Sequence, residues 1–296
     1  MKRPEDHNAA WVAAMRVGDY ATAWDINDAV LAARDPSARD DPRLPYHLRW
    51  VWDGRSFLNR HVLIRCYHGL GDTLQFARYL PQIRCLAASL TVEVQPELLP
   101  LLTTIPGPDR LIPFDPARPA PAAECDLEIM ELAHALRLPP ETGPFPLLHV
   151  DPSRLPNGTI GLRWRAGEWD PERSIDPDRL AELTGRPCVS LQPGSTHLPV
   201  LNAEGCTSDV VETAALISGA ALVITVDTMI AHLAGALYKP VWVLLKHDAD
   251  WRWQSGRLDS PWYPSMRLYR QRASGDWASV IASVAADLGA RVGANS

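Results

Sequence analysis

The stretch 221–245, ALVITVDTMIAHLAGALYKPVWVLL, leaves this chain the least freedom in how it folds. Residues 221–226 are apolar and β-branched with no polar face, as a parallel strand buried on both sides should be. Asp227 or Thr228 can cap the element that follows. Ile230, Leu233, Ala234 and Leu237 recur at i, i+3, i+4 and i+7, which is one apolar face of a helix. Pro240 marks the helix end, and 241–245 is a second buried run. Strand, helix and strand make a βαβ unit, so the fold class is α/β. A helix that starts directly after a parallel strand points unpaired N–H groups, and the positive end of its dipole, at the carboxyl edge of the sheet. An anion such as a diphosphate binds there. Thr228 and His232 share one side of the first turn. His232 lies opposite the apolar stripe, which predicts ligand contact. Asp227 would repel an anion that it faced, so it is expected to cap the helix or accept hydroxyls.

The same alternation recurs along the chain. HVLIRCY from residue 61 reads as a strand, and GLGDTLQFARYLPQI as a loop and helix. Strands follow at 90–95 and 110–113, with a short helix at 97–103 between them. Residues 125–138 fit a strand or a helix equally well. Proline-dense 139–156 reads as a domain boundary. A second series starts at 159 with TIGLRW, then a helix at 177–183, a strand at 187–192 and a helix at 208–218. After the opening βαβ come a polar and aromatic loop at 246–264, a strand at 266–269 and a helix at 277–288. Two such series predict two doubly wound sheets facing a cleft. Ahead of them, 8–34 reads as two short helices broken at Gly18–Asp19, and 35–60 as a linker.

Composition narrows the function classes. With 296 residues, 46% hydrophobic and 22% charged, the chain can bury two cores. A formal net charge of −6 argues against a nucleic-acid partner. No apolar run nears the roughly 20 residues of a membrane span. MKRPEDHNAAW lacks the apolar core of a signal peptide. Five scattered cysteines without a CxxC read as reduced thiols of a cytoplasmic protein.

Several polar stretches follow predicted strands. In GLGD, Gly69 and Gly71 let backbone approach a ligand. Asp72, with Gln75 three residues later, fits either a capping box or a general base facing the cleft. Arg163, Arg165, Arg173 and Ser174 surround the loop after the first strand of the second series. Arginines there suit phosphate, or form a solvated, ion-paired edge. In QPGSTH, Gln192 and Gly194 belong to a base- or phosphate-contacting loop or to an ordinary turn. Asp248-Ala249-Asp250 imitates a DxD metal motif without further ligands nearby. With no HExxH, paired Cys/His spacing or GxSxG, neither metal nor serine hydrolysis has support.

GLGDTLQFARYLP, VDTMIAHLAGALYKPVWVLL and DWRWQSGRLDSPWYPSMRLYRQ together resemble the glycosyltransferase-like domains that follow tetratricopeptide repeats, which are similar to the heptosyltransferases of glycosyltransferase family 9. The resemblance runs from about residue 61 to 288, and the helical start resembles one tetratricopeptide unit. A single unit cannot bury its own face, so it should pack on the body or on a protein partner. The resemblance implies a GT-B fold with this organisation: 1–50, hairpin and linker; 51–150, an acceptor domain; 151–275, a nucleotide-sugar domain; 276–296, a helix packing back on the body. It implies inverting sugar transfer from a nucleotide-sugar to a glycan, protein or small-molecule acceptor, with no essential metal or other cofactor. Asp72 matches the proposed base, and Asp227, Thr228 and His232 match the donor-binding DTxxxH pattern. Arg163, Arg165, Arg173, Ser174, Gln192 and Gly194 fall on the donor side. Gly69, Gly71, Gln75, Arg78 and Trp253 fall on the acceptor or cleft side. Such a protein works in the cytoplasm, free or peripheral to the inner membrane face.

Overall fold

The structure, a computed structural model, describes residues 4–142 and 145–293. It divides into two compact units, Met1–Leu148 and His149–Ser296. Among the described residues no helix is long and apolar enough to cross a membrane.

The first unit opens with a helical hairpin, α1 (Pro4–Val17) and α2 (Tyr20–Ala33). Gly18 turns the chain with φ 76°, a region open to glycine. Asp19 then caps α2 by accepting the Thr22 N–H at 3.1 Å. The hairpin packs on the body of its own unit. Asp28 of α2 receives His134 Nε2 at 2.9 Å and the Arg137 guanidinium at 2.6 Å.

Four parallel strands form the sheet of this unit, β1 (His61–Arg65), β2 (Ser89–Val94), β3 (Arg110–Pro113) and β4 (Cys125–Glu128), in the order β3-β2-β1-β4. Helices α3 (Leu70–Phe76), α4 (Leu80–Leu86) and α5 (Leu99–Leu102) connect the first three strands. The ambiguous stretch 125–138 proves to be both things. It is β4, then a tight turn, then α6 (Leu132–Leu136). Two glutamates make the turn: Glu128 accepts the Met130 N–H, and Glu131 accepts the Glu128 N–H.

The second unit holds β5 (Ile160–Arg163), β6 (Cys188–Ser190), α7 (Val210–Gly219), β7 (Leu222–Val226), α8 (Met229–Ala236), β8 (Val241–Leu245), β9 (Met266–Arg270) and α9 (Trp277–Gly293). Its strands are all parallel, in the order β6-β5-β7-β8-β9. Leu162, Ile224, Val226 and Leu244 meet Val280 and Val284 of α9 in its core. Each fully buried side chain of this size stabilises by about 1.5–3 kcal/mol. Residues 177–183, expected as a helix, form one of the tighter 3₁₀ kind behind an Asp176 cap.

Strand order locates the ligand-ready edges. In an open parallel sheet the crevice lies where the winding reverses, outside the carboxyl ends of the strands. That is between β1 and β4 in the first unit and between β5 and β7 in the second.

Candidate functional site

At the reversal in the second unit, β7 runs into α8 through Asp227 and Thr228. Thr228, not Asp227, caps the helix: its hydroxyl accepts the Ile230 N–H at 3.3 Å. The Asp227 side chain is buried instead. Burial pushes its carboxyl above the ordinary range, Trp253 pulls it back, Asp250 adds to the rise, and Arg173 and Arg252 lower it. Arg173 reaches this turn from the loop after β5. Its guanidinium donates to the Asp227 carbonyl at 3.0 Å and stands 3.9 Å from the carboxylate. Trp169 lies beneath it at 4.0 Å. Asp170 holds its far side at 3.6 Å and is itself paired with Lys246 at 3.0 Å. A fixed cation therefore sits beside a helix N-terminus, where both favour a bound anion.

Next to this turn a pocket of about 460 Å³ opens at the carboxyl ends of β5 and β6. Trp164, Arg165, Ser174, Gln192 and Ser195 line it. The loops are tied together. Gln192 accepts the Arg165 N–H at 3.2 Å, and Ser174 accepts the Ala166 N–H at 3.0 Å. Gly194, exposed and at φ 85°, turns the loop between Pro193 and Ser195. Arg163 points to backbone, donating to the carbonyls of Arg165 and Leu191. Burial lowers its pKa. It braces the two loops that carry the pocket.

Four residues need correction. His232 does not look out from α8, because the 246–264 loop covers that side of the helix. His232 is 5% exposed. Its Nδ1 is 3.1 Å from the Tyr263 hydroxyl, and its ring stacks on Trp253 with centroids 5.5 Å apart. Trp253 is fully buried in this stack and lines no open surface. Gln75 and Arg78 are likewise fully buried. Arg78 donates to the carbonyls of Gln75 and Pro140, fixing backbone. Trp253 and Trp262 are thus core residues of a long connection, while Trp251 stays half-buried. Asp250 caps a turn there, accepting the Arg252 N–H at 3.0 Å. Among the described residues no group of three His, Cys, Asp or Glu could hold a metal ion.

In the first unit GLGD follows β1 at the reversal. Gly69 is the N-cap of α3 and Asp72 its third residue, so the capping box pairs Asp72 with Gly69 and leaves Gln75 out. Asp72 Oδ2 accepts the Gly69 N–H at 3.0 Å. Asp72 remains partly exposed, as do Gly69 and Gly71. Sequence reasoning passed over Glu128 and Glu131 at the neighbouring strand end and Tyr263 beside His232. Only the E-x-x-E spacing behind a short apolar run could have signalled the glutamates.

Two parallel sheets, each with polar loops at its winding reversal, define an α/β protein of the GT-B kind. Residues 207–265 match the model of glycosyltransferase family 9 (heptosyltransferase), a span that holds β7, α8, β8 and the tryptophan loop. Over that span the chain is similar to glycosyltransferase family 9, and its fold is similar to that of solved heptosyltransferases. Protein FlbA of Caulobacter vibrioides is 27% identical over an alignment covering 93% of this chain and 53% of that protein. The chain thus spans about half the length of the curated relative it matches. E. coli ADP-heptose lps heptosyltransferase II has a similar fold, with a TM-score of 0.54 at 15% identity over 78% of this chain and 98% of that one. E. coli heptosyltransferase WaaC with ADP-2-deoxy-2-fluoro heptose gives 0.52 at 14% identity over 78% and 99%.

Proposed function

We propose that this protein is a glycosyltransferase that moves a sugar from a nucleotide-sugar to an acceptor hydroxyl with inversion. In this reading Asp72 takes the acceptor proton, and the acceptor oxygen forms its bond to the anomeric carbon. The bond from that carbon to the diphosphate breaks, and the diphosphate leaves with the electron pair. The observation that carries the reading is Arg173 on the β7–α8 turn, a cation fixed beside a helix start. Charge growing on the leaving group would be stabilised by Arg173 and the first turn of α8. The pocket lined by Arg165, Ser174 and Gln192 suits the rest of the nucleotide. His232 and Trp253 support this side from behind.

Calorimetry with ADP, UDP and GDP and their sugar conjugates tests the donor half. At least one is expected to bind, and Arg173→Gln should weaken it by about ten- to a hundredfold, as a charge-assisted contact of about 1.5–3 kcal/mol is lost. If no nucleotide binds, the reading is wrong. One observation favours a second reading, a binding protein without catalysis: the Asp72 carboxylate is engaged as a helix cap. Tight donor binding with neither donor hydrolysis nor transfer would select it.

A further inference from the structure

The first unit contains a pocket of about 420 Å³ that the donor reading does not use. Its walls come from four separate stretches: α1 and α2, the linker, the loop after β1 and the turn after β4. Trp11, Asn27, Trp50, Trp52, His68 and Glu131 are among its lining residues. It therefore lies at the winding reversal of this sheet, and His68 immediately precedes the GLGD loop.

The wall chemistry narrows the occupant. Its charged groups already have partners: Arg49 of the wall pairs with Asp40 at 3.3 Å, and His134 with Asp28 at 2.9 Å. Glu128 accepts the Tyr67 N–H at 3.2 Å and faces His68 Nδ1 at 3.0 Å. Glu131 accepts the Trp52 N–H at 3.0 Å and the Glu128 N–H at 2.8 Å, with Arg34 4.0 Å away. Arg34 in turn lies over the Trp50 ring, 4.9 Å from its centroid. The arginines and carboxylates of this wall are all engaged, which leaves none free to recognise a phosphate or an ammonium group. A space of this size is wet when empty, since a water takes up only about 30 Å³. Large indole surfaces facing that water are unfavourable. A ligand with apolar ring faces and neutral hydroxyl edges satisfies both the indoles and the polar atoms between them. Saccharides have that character.

We propose that this pocket binds a neutral saccharide ring, the sugar portion of the acceptor, and that the N-terminal hairpin is a wall of the binding site. The acceptor assignment rests on the transfer reading above; saccharide binding itself does not. The chain of residues 1–296 is titrated with methyl β-glucoside, methyl β-galactoside, methyl α-mannoside and N-acetylglucosamine, followed by saturation-transfer NMR. At least one should bind in the millimolar range and persist when ADP, UDP or GDP is added. Trp50→Ala should weaken it by about tenfold. Asn27→Ala, on the partly exposed face of α2, should weaken it by about threefold through one lost hydrogen bond. Melting curves accompany both variants, and Asn27→Ala decides if Trp50→Ala does not fold. Three results would overturn the proposal: no probe binds, a nucleotide displaces the bound probe, or the folded variants bind as the parent does. Nucleotide binding is measured on the same samples, so failure of the saccharide site is distinguishable from failure of the donor site.

Discussion

Asp72 has two separable jobs, and one substitution distinguishes them. As third residue of α3 it accepts the Gly69 N–H, and an asparagine oxygen can accept the same bond. Asp72→Asn should therefore change stability by less than about 1 kcal/mol. An amide cannot take a proton, so transfer should fall by about 10²–10⁴-fold with donor affinity unchanged. Turnover equal to the parent's would remove Asp72 from the mechanism. Glu131 offers a residue-scale test of folding. Burial lifts its carboxyl from the ordinary 4.5 to about 7, against the pull of the Glu128 N–H and with a further push from the Glu128 charge. Between those two values the folded chain holds a proton that the unfolded chain has lost. Stability from this group is thus greatest below the lower value, falls as pH rises through the window, and levels off above about 7. Glu131→Gln removes the effect, and its amide oxygen can still accept the Trp52 and Glu128 N–H groups. With about 1.4 kcal/mol for each pKa unit, the variant should gain on the order of 3 kcal/mol over the parent near pH 8 and less than about 1 kcal/mol near pH 5. Urea denaturation of the pair at both pH values measures the difference. An equal gain at both would show that Glu131 does not titrate in this window.

Helix α8 shows at the scale of an element what pattern reveals and what it conceals. The β7–α8–β8 unit was legible because buried parallel strands need unbroken apolar runs, and 221–226 and 241–245 are such runs. The apolar stripe was legible too. The far side was not, because the residues that cover it lie up to 31 positions away, where Tyr263 meets His232. Helical spacing cannot report a neighbour that arrives from a loop. Trp253 was misread because a polar-looking loop folded inward, and Arg78 because Pro140, 62 positions away, takes its guanidinium. Packing on this covered side is tight. A Cβ on Gly235 would lie 2.5 Å from two ring carbons of Tyr263 and 2.6 Å from the terminal methyl of Met266. A ring cannot yield as a flexible chain end does, so Gly235→Ala should cost about 1–3 kcal/mol. It should also displace Tyr263 from His232 and weaken nucleotide binding at the other end of the helix. Denaturant midpoints and calorimetry on the same variant check both, and full affinity would show that this packing does not support the anion site.

For the whole molecule, the question is how function divides between the units. The alternation of strands and helices made two sheets legible from sequence, whereas the saccharide pocket was invisible. Its walls combine residues from position 11 to position 134, and no local pattern encodes that convergence. The anion site has the opposite character. Arg173, Asp227, Thr228, Gln192 and Ser174 all belong to His149–Ser296, as do the core residues beneath them. A domain of about 150 residues buries roughly 70% of its unfolded surface, enough to be stable alone. Expressed by itself, 149–296 should therefore melt cooperatively and bind the preferred nucleotide within about threefold of the full chain, a change of less than about 0.7 kcal/mol. It should transfer no sugar, because Asp72 lies in Met1–Leu148. Nucleotide binding that vanished in a folded 149–296 would mean that the first unit supplies part of the donor site, and Arg173 with the α8 start would then be insufficient to hold the diphosphate.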